Sequence, residues 1–551
     1  MRPKPRSYTL SRWLFPGLML LGFASCAGRC GSTGPGSKKP QFTRPLVDLV
    51  PTDALACVTI DNLTKVQEPI VHLVRRIVPQ DADQWFRVAR RLTAIDLTGK
   101  GFEPAGIRPS KGATLFVSRE TAVLLLSIED RGKFEAAVRQ FAKLRGHRRW
   151  TKDPSGEIQI LSGRTAKDGV LATLRYHQDV AIVALPLQTT AKPPQKLIAP
   201  PNAIGSFRTS TLWTRTPKDD VALRFALRSG GPVPAIVGRL LDGSNGTLRL
   251  DANRVSLRAR FYVKSSLSRD LKSWFRLSSK AIPAQRIVAV KAPLRIVANL
   301  DFAQFSTIAT VLRVVGVDLM QPLRDVWPKD PQLDLASELF RVLTGRAALF
   351  VKGLNIKLDA APKREDDFPF VTWLRHTNFA VALQLANPKR AAEILQLATE
   401  VVSPHPSAPG KLARYALPKL ALLRAHRLLL LRRIRGGSTV YELTSPTGKV
   451  SFGVLALRGG LLWVATSIGT LEEAIRAFER VPAQHVSPRE RELLASDHLL
   501  AGLLDIKNLI QQLIVGGVPP GAMSTLRRIT RAGFAISVHK ECVELDWDIE
   551  L

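Results

Sequence analysis

The chain is short of cysteine, short of acid and short of catalytic signatures. Only four cysteines occur in 551 residues. That excludes a disulfide-stapled scaffold, so the fold has to rest on packed cores. Hydrophobic residues make up 45% of the chain, which is ample for that. Acidic residues number 46 against 80 lysines and arginines, a formal net charge of +34. So basic a balance raises the question of nucleic acid. The charge is spread, however. Eight basic residues and no acid lie within positions 1–44, and a basic excess continues through both parts of the remaining chain. Diffuse charge of this kind favours anionic surfaces over a dedicated nucleic-acid groove, and no nucleic-acid partner is expected.

The usual carriers of chemistry are missing too. There is no G-x-S-x-G elbow, no phosphate-binding G-x-x-x-x-G-K-[ST] loop and no H-E-x-x-H pair. "PTGKVS" lacks the upstream glycine and sits between expected strands. The nine histidines are scattered, and His405, His426 and His485 lie in polar or basic contexts that suit a surface. His539 and Cys542 are neighbours, but no motif supplies further metal ligands. Glu365, Asp366 and Asp367 form an acidic cluster without calcium-loop spacing. The expectation is a protein that is not an enzyme and carries no catalytic, metal or cofactor site.

What is present begins at the N-terminus. Arg2, Lys4, Arg6 and Arg12 precede a mostly apolar run from Trp13 to Ala24. A spanning helix needs about 20 apolar residues, so this run is too short to stay in a bilayer and fits a secretory signal. The run ends in Phe23, Ala24, Ser25 and Cys26. Ala24-Ser25-Cys26 resembles the bacterial lipobox, in which the cysteine thiol takes a diacylglycerol and the chain is cut before it. Phe23 departs from that pattern, which prefers leucine. The other reading is ordinary signal cleavage after Ala27. "GSTGPGSKKP" follows, with no large apolar residue. Such a stretch cannot bury a core and serves as a leash. Lys38, Lys39 and Arg44 would each add about 1 kcal/mol beside an anionic leaflet. Cys26 is thus the expected lipidation site.

Length alone suggests roughly three or four domains, but internal comparison points to two. "DALACVTIDNLTKVQEPIVHLVRRIVP" has the layout of "APLRIVANLDFAQFSTIATVLRVVG", an apolar strand and then a helical pattern. "GATLFVS" matches "GRAALFVKG", and residues 122–144 parallel 379–401 as strand, turn and amphipathic helix. Residues 158–185 parallel 440–466 as three strands, with turns at 177–179 and Gly459-Gly460 among their joints. Strand-like 219–227 and 256–263 correspond in order to 496–505 and 534–549. Joints this short require antiparallel pairing. The expected fold is α+β: two tandem similar halves, each a mainly antiparallel sheet with helices packed on one face. The expected limits are a signal peptide over 1–25, a tether over 26–45, a first repeat over 46–280 and a second over 281–551.

Pro51, Asp53, Ala54 and Leu55 open the first strand, and Gly469 to Ile475 ("GTLEEAI") follow a late one. In these features the chain resembles exported bacterial lipoproteins of unassigned function built from duplicated α+β bodies. That resemblance implies a lipoprotein or secreted scaffold with no catalytic residues to carry over. Three functions follow as expectations. The first is a non-enzymatic, lipid-anchored cell-envelope scaffold, held at the outer membrane facing the periplasm or the cell surface, with a protein partner or hydrophobic ligand. The second is a carrier with sheets curved around a lipid. The third is a soluble secreted protein with an unrecognised hydrolase site.

Two further sets of residues stand out. Cys57 falls in the first strand and Cys542 in the last, so an exported chain could join them by a disulfide if their Cα atoms come within about 7 Å. The stretch from Lys411 to Gly437 carries Arg427, Arg432 and Arg433 among leucines and has no acid. It reads either as a basic amphipathic segment on a membrane surface or as a core strand or helix with a buried leucine side.

Overall fold

A computed structural model describes residues 42–187, 198, 206–228, 241–265, 282–299, 342–354, 377–402, 429–480, 487–515 and 523–551. Short breaks within these stretches fall at 94–95, 100, 120, 145–149, 153, 155, 162–169, 217–221, 283, 436–437, 445–450, 495–497 and 524–525. The chain divides into two compact units between Lys264 and Ser265, earlier than the 280/281 junction expected from sequence. The fold is α+β, and each unit is described by itself.

In the first unit the strands are β1 (Ala56–Ile60), β2 (Ala113–Val117), β3 (Thr121–Ser127), β4 (Trp150–Lys152), β5 (Ile158–Leu161), β6 (Val170–His177), β7 (Val180–Pro186), β8 (Leu223–Arg228), β9 (Leu241–Asp251) and β10 (Arg254–Val263). Their order across the sheet is β10-β9-β8-β1-β2-β3-β7-β6-β5-β4, every pair antiparallel. Helices α1 (Thr64–Ile77), α2 (Ala82–Thr93), α3 (Arg131–Leu144) and the single turn α4 (Thr211–Thr214) complete the unit.

Strand β3 shows why the sheet needs cover on both sides. All seven of its residues are buried. Its side chains alternate, so Ala122, Leu124 and Leu126 join a cluster that includes Phe134 and Val138 of α3. Val123 and Leu125 join a separate cluster with Leu46, Leu49, Phe207 and Trp213. Those last residues come from the 3-10 turns Leu46–Leu49 and Phe207–Thr209 and from α4. Helices therefore cover one face, while short turns and the N-terminal segment close the other.

In the second unit the strands are β11 (Leu294–Asn299), β12 (Leu343–Leu354), β13 (Thr377–Leu385), β14 (Leu429–Arg435), β15 (Ser438–Thr444), β16 (Ser451–Arg458), β17 (Leu461–Ala465), β18 (Leu500–Asp505), β19 (Arg531–Val538) and β20 (Cys542–Glu550). Their order is β20-β19-β18-β11-β12-β13-β17-β16-β15-β14, again all antiparallel. The helices are α5 (Ala284–Ala289), α6 (Pro388–Val402), α7 (Ile468–Glu479), α8 (Pro488–Leu493) and α9 (Ile506–Val515).

Here long helices lie on both sheet faces, which corrects the expectation of one. Leu462 packs in a cluster with Ala391 and Ile394 of α6. Its neighbour Trp463 points the other way, into a cluster with Leu471, Ala474 and Phe478 of α7. Two of the helices start at side-chain caps. The Ser467 hydroxyl accepts the Thr470 N–H at 3.2 Å and starts α7. Ser487 and Glu490 form a reciprocal capping box that starts α8.

Candidate interaction surfaces

The described residues begin at Phe42, inside the range expected to be tether, and are already part of the folded body. Phe42 is buried, and its N–H donates to Asp179 Oδ1 at 2.7 Å. Asp179 also accepts from Arg108 Nη1 at 2.6 Å. It sits in the β6–β7 turn, where Gln178 adopts φ +55°. Leu46, Val47, Leu49 and Val50 then run buried beneath the sheet. Phe42 to Pro45, expected to be tether, therefore belong to the folded body, where apolar side chains from Phe42 onward fill a sheet face.

Cys26 and Arg427 lie outside the described residues. Arg432 and Arg433 are adjacent on β14, so their side chains leave opposite faces of the strand. Arg433 pairs with Glu442 at 3.2 Å. Over Leu429–Arg435 the stretch is therefore a strand, and Arg432 and Arg433 do not share a face of it. Cys57 and Cys542 are both thiols, and the disulfide considered from sequence is not formed. Each is buried in the interior of its own unit.

The Cys57 thiol lies 3.9 Å from the Thr59 hydroxyl. Burial pushes its pKa up from 9.0 to about 12, against the smaller opposing effects of Thr59 and Arg224. The fold therefore keeps the proton where the unfolded chain releases it. Stability from this group is intact below pH 9 and falls by up to about 1.4 kcal/mol per pH unit between 9 and 12. Urea midpoints measured across that window should show the loss, and Cys57→Ala should flatten the slope. An unchanged slope in the variant would show that Cys57 ionisation does not govern alkaline stability. Burial likewise raises the Tyr176 hydroxyl, with Glu135 reinforcing it, so some decline persists above pH 10.

An open groove of about 510 Å³ lies between α1 and the loop after α2. Gln67, Glu68, Arg75, Thr98, Phe102 and Glu103 are among its lining residues. The loop is held by paired backbone bonds between Asp96 and Gly101, and Thr98 Oγ1 donates to Asp96 Oδ1 at 2.9 Å. Gly101 has φ +60°, and a Cβ there would lie 2.5 Å from Gln67 Oε1. Gln67 Nε2 in turn donates to the Leu97 carbonyl at 2.9 Å. The groove is polar and carries both signs of charge, which suits a small polar group better than an acyl chain.

The second unit holds a network of ionised groups around α8. Arg489 reaches Glu492 at 2.8 Å and Asp548 at 3.6 Å, and Arg531 reaches Glu490 at 3.5 Å. Burial holds the Arg295 guanidinium below its ordinary range, with Glu490 and Asp505 opposing that shift. Nearby, His498 Nδ1 is 2.7 Å from Ser537 Oγ, and Nε2 is 2.9 Å from the Glu492 carbonyl. A ring Nε2–H donated to that carbonyl leaves Nδ1 to accept from the hydroxyl. The pair ties the segment leading into β18 to β19. Among the described residues no three His, Cys, Asp or Glu side chains group as a metal site, and no helix is long and apolar enough to cross a membrane.

No protein-family model matches the chain, and no curated protein does. Among solved structures, crystal form III of TP0453 aligns with TM-score 0.24 and 10% identity, over 43% of this chain and 88% of that one. Crystal form IV gives 0.24 and 10% over 42% and 85%, and form I gives 0.22 and 10% over 44% and 89%. Likeness at that level carries no argument about fold or function, so the surface itself has to supply one.

Helix α2 is its most distinctive part. Phe86 and Ala82 are buried and seat the helix, while Trp85 is 44% exposed and Val88 47% exposed. Trp85 meets Phe86 edge-on at 5.3 Å, so the exposed ring is braced by a core residue. Positions i and i+3 share a helix face, so Trp85 and Val88 form one apolar ridge. Sequence reasoning did not single it out. The sequence signal is weak, because "DQWFRVARR" sets two aromatics side by side and the apolar stripe of a core-facing helix can accept both.

Proposed function

We propose that the chain is a lipid-anchored, non-enzymatic binding scaffold of a bacterial cell envelope, built by tandem duplication of one α+β unit. The observation that carries the reading is the lipobox-like Phe23-Ala24-Ser25-Cys26, followed by a folded body whose first buried side chain among the described residues is Phe42. A lipidated Cys26 would stand 16 residues before that seat, room for a leash. Anchoring by two acyl chains is stable where one is marginal.

Duplication draws support from connectivity. Adding ten to each strand number of the first unit's order reproduces the order in the second. Equivalent strand pairs also carry the same cross-strand partners in reverse, Phe225 opposite Gly246 and Gly502 opposite Phe534. The carrier reading has less behind it. The faces where a curved sheet would hold lipid are filled by such groups as Trp463, Phe350 and Phe478. Mass spectrometry of gently purified protein would revive the carrier if lipid co-purified in stoichiometric amount.

Intact mass of the mature N-terminus tests the anchor. The expected result is a chain that starts at Cys26 and carries acyl mass. A chain starting at Gly28 without lipid refutes it.

A further inference from the structure

We infer that α2 is a docking face for an anionic lipid surface, with Trp85 and Val88 entering the headgroup region and arginines around them meeting lipid phosphates. The inference rests in part on the anchored reading above, but its chemistry is visible on the helix. Other large apolar side chains exposed among the described residues are Ile434, Val515 and Leu526. Trp85 and Val88 adjoin on one face of a helix seated by Ala82 and Phe86. Tryptophan prefers the membrane interface, because its ring is apolar while its N–H is polar.

The charges nearby have the matching sign. Arg87 and Arg90 are exposed on α2, and Arg75 and Arg76 are exposed in the last turn of α1, one short loop away. The acids on the same hairpin are Glu68 on α1, which is exposed and lies 3.7 Å from His72, and Asp81 and Asp83 at the start of α2. Arg90 also faces Asp96 at 3.3 Å, and Arg76 donates to Asn253. Arg75 also lines the groove beside Glu68, and Arg87 Nε donates to the Asp83 carbonyl at 3.4 Å, and both side chains are exposed. Arginine can keep its charged head among phosphates while its stem lies along apolar surface. Each basic side chain at an anionic leaflet strengthens binding by roughly fivefold.

The occupant is a membrane and not an acidic protein for two reasons. The ridge is a single convex helix face, which fits a deformable interface and offers no pocket to a partner's side chain. The chain's net charge of +34 is spread along it, and so complements an extended anionic surface better than a local acidic patch. If Cys26 is lipidated, the 16 residues to Phe42 span at most roughly 55 Å. The body then never leaves the neighbourhood of the leaflet, which raises the effective concentration of α2 at the lipid surface.

The test reads Trp85 alone. The mature protein, with whatever N-terminus processing leaves, is mixed with phosphatidylglycerol vesicles whose acyl chains carry bromine, a short-range tryptophan quencher. Wild-type emission minus that of Trp85→Phe isolates the one ring, and circular dichroism checks that the variant is folded. The Trp85 signal should shift to the blue and be quenched, and it should recover in brominated phosphatidylcholine vesicles or with Arg75→Glu plus Arg87→Glu. A Trp85 signal indifferent to brominated phosphatidylglycerol would overturn the proposal, as would equal quenching in neutral vesicles. Failure of the anchor is read separately by the N-terminal mass. An unlipidated protein whose Trp85 is still quenched would retain the docking face and lose only the leash.

Discussion

Trp463→Ala should lower the stability of the second unit by about 3–5 kcal/mol, the range for deleting a fully buried large aromatic. Trp463 is 1% exposed on β17, at the centre of that unit's larger core cluster. Its ring stacks near Phe350 of β12 with centroids 6.4 Å apart and meets Phe478 of α7 edge-on at 5.2 Å. Truncation removes the apolar transfer energy and leaves a void between a sheet and a helix that are both held elsewhere. The sheet cannot collapse, because β17 is paired on both edges, with β13 and β16. Helix α7 cannot collapse freely either, because Leu471, Ala474 and Ile475 already bind it to the same cluster. Two units need not unfold together, so the measurement should resolve them, by hydrogen exchange on peptides from β13, β17 and α7. Trp85→Ala is the internal comparison. It removes the same side chain from a half-exposed site, where the edge-on contact with Phe86 is the main loss, and should cost clearly less, on the order of 1 kcal/mol. A loss at Trp463 below about 1 kcal/mol would mean that the cluster repacks and that the large-to-small estimate does not apply.

Much of this architecture was legible where apolar runs were bounded by turn residues. Strands β1 to β3 and β11 to β13, the helices α3 and α6, and the hairpins at Gln178-Asp179 and Gly459-Gly460 all lie where pattern places them. The second covered face was also legible, but in a different signal. "TAVLLLS" in β3 is a continuous apolar run, and an antiparallel strand with one wet face alternates instead. Strand β9 was hidden for a physical reason. Its "DGSNG" reads as a turn, yet residues 243–247 form the buried centre of the strand. Cross-strand packing overrides local preference there. Gly246 makes room for the Phe225 ring, and Asn245 Nδ2 donates to the Leu212 carbonyl at 2.6 Å. Strand β14 was hidden because leucines and arginines without acid suit a surface helix as well as a strand. The pairing with β15 decides it, and pairing is not a local property. Of the candidate surface, the basic charge was visible in sequence. The exposure of Trp85 was not, because it depends on which of two adjacent aromatics the tertiary core accepts.

Gly112→Ala should destabilise the first unit by at least about 3 kcal/mol, more than the backbone conformation alone would cost. Gly112 has φ +75° and ψ −161°, a region that is essentially glycine's own. The space is closed as well. A Cβ there would lie 1.9 Å from the Ile60 carbonyl oxygen and 2.7 Å from the carbonyl carbon and oxygen of Asp61. These are backbone atoms at the end of β1, and they cannot rotate away. Relief requires parting β1 from β2 where Ile60 pairs with Ala113. It also strains the Leu63 N–H to Pro109 carbonyl bond at 2.8 Å, which sets the start of α1. Gly459→Ala separates the two causes. Gly459 also has positive φ, +61°, but nothing lies within 4 Å of its added Cβ. Only the left-handed backbone is penalised there, by about 1–2 kcal/mol. If the two substitutions proved equally mild, the close approach of β1 to Gly112 would be wrong. The same comparison bears on α2. A Gly112→Ala protein that remains folded at low temperature should show faster exchange in α1 and, through the short loop between them, a loosened seat for Trp85. Gly459→Ala, in the other unit, should leave both untouched.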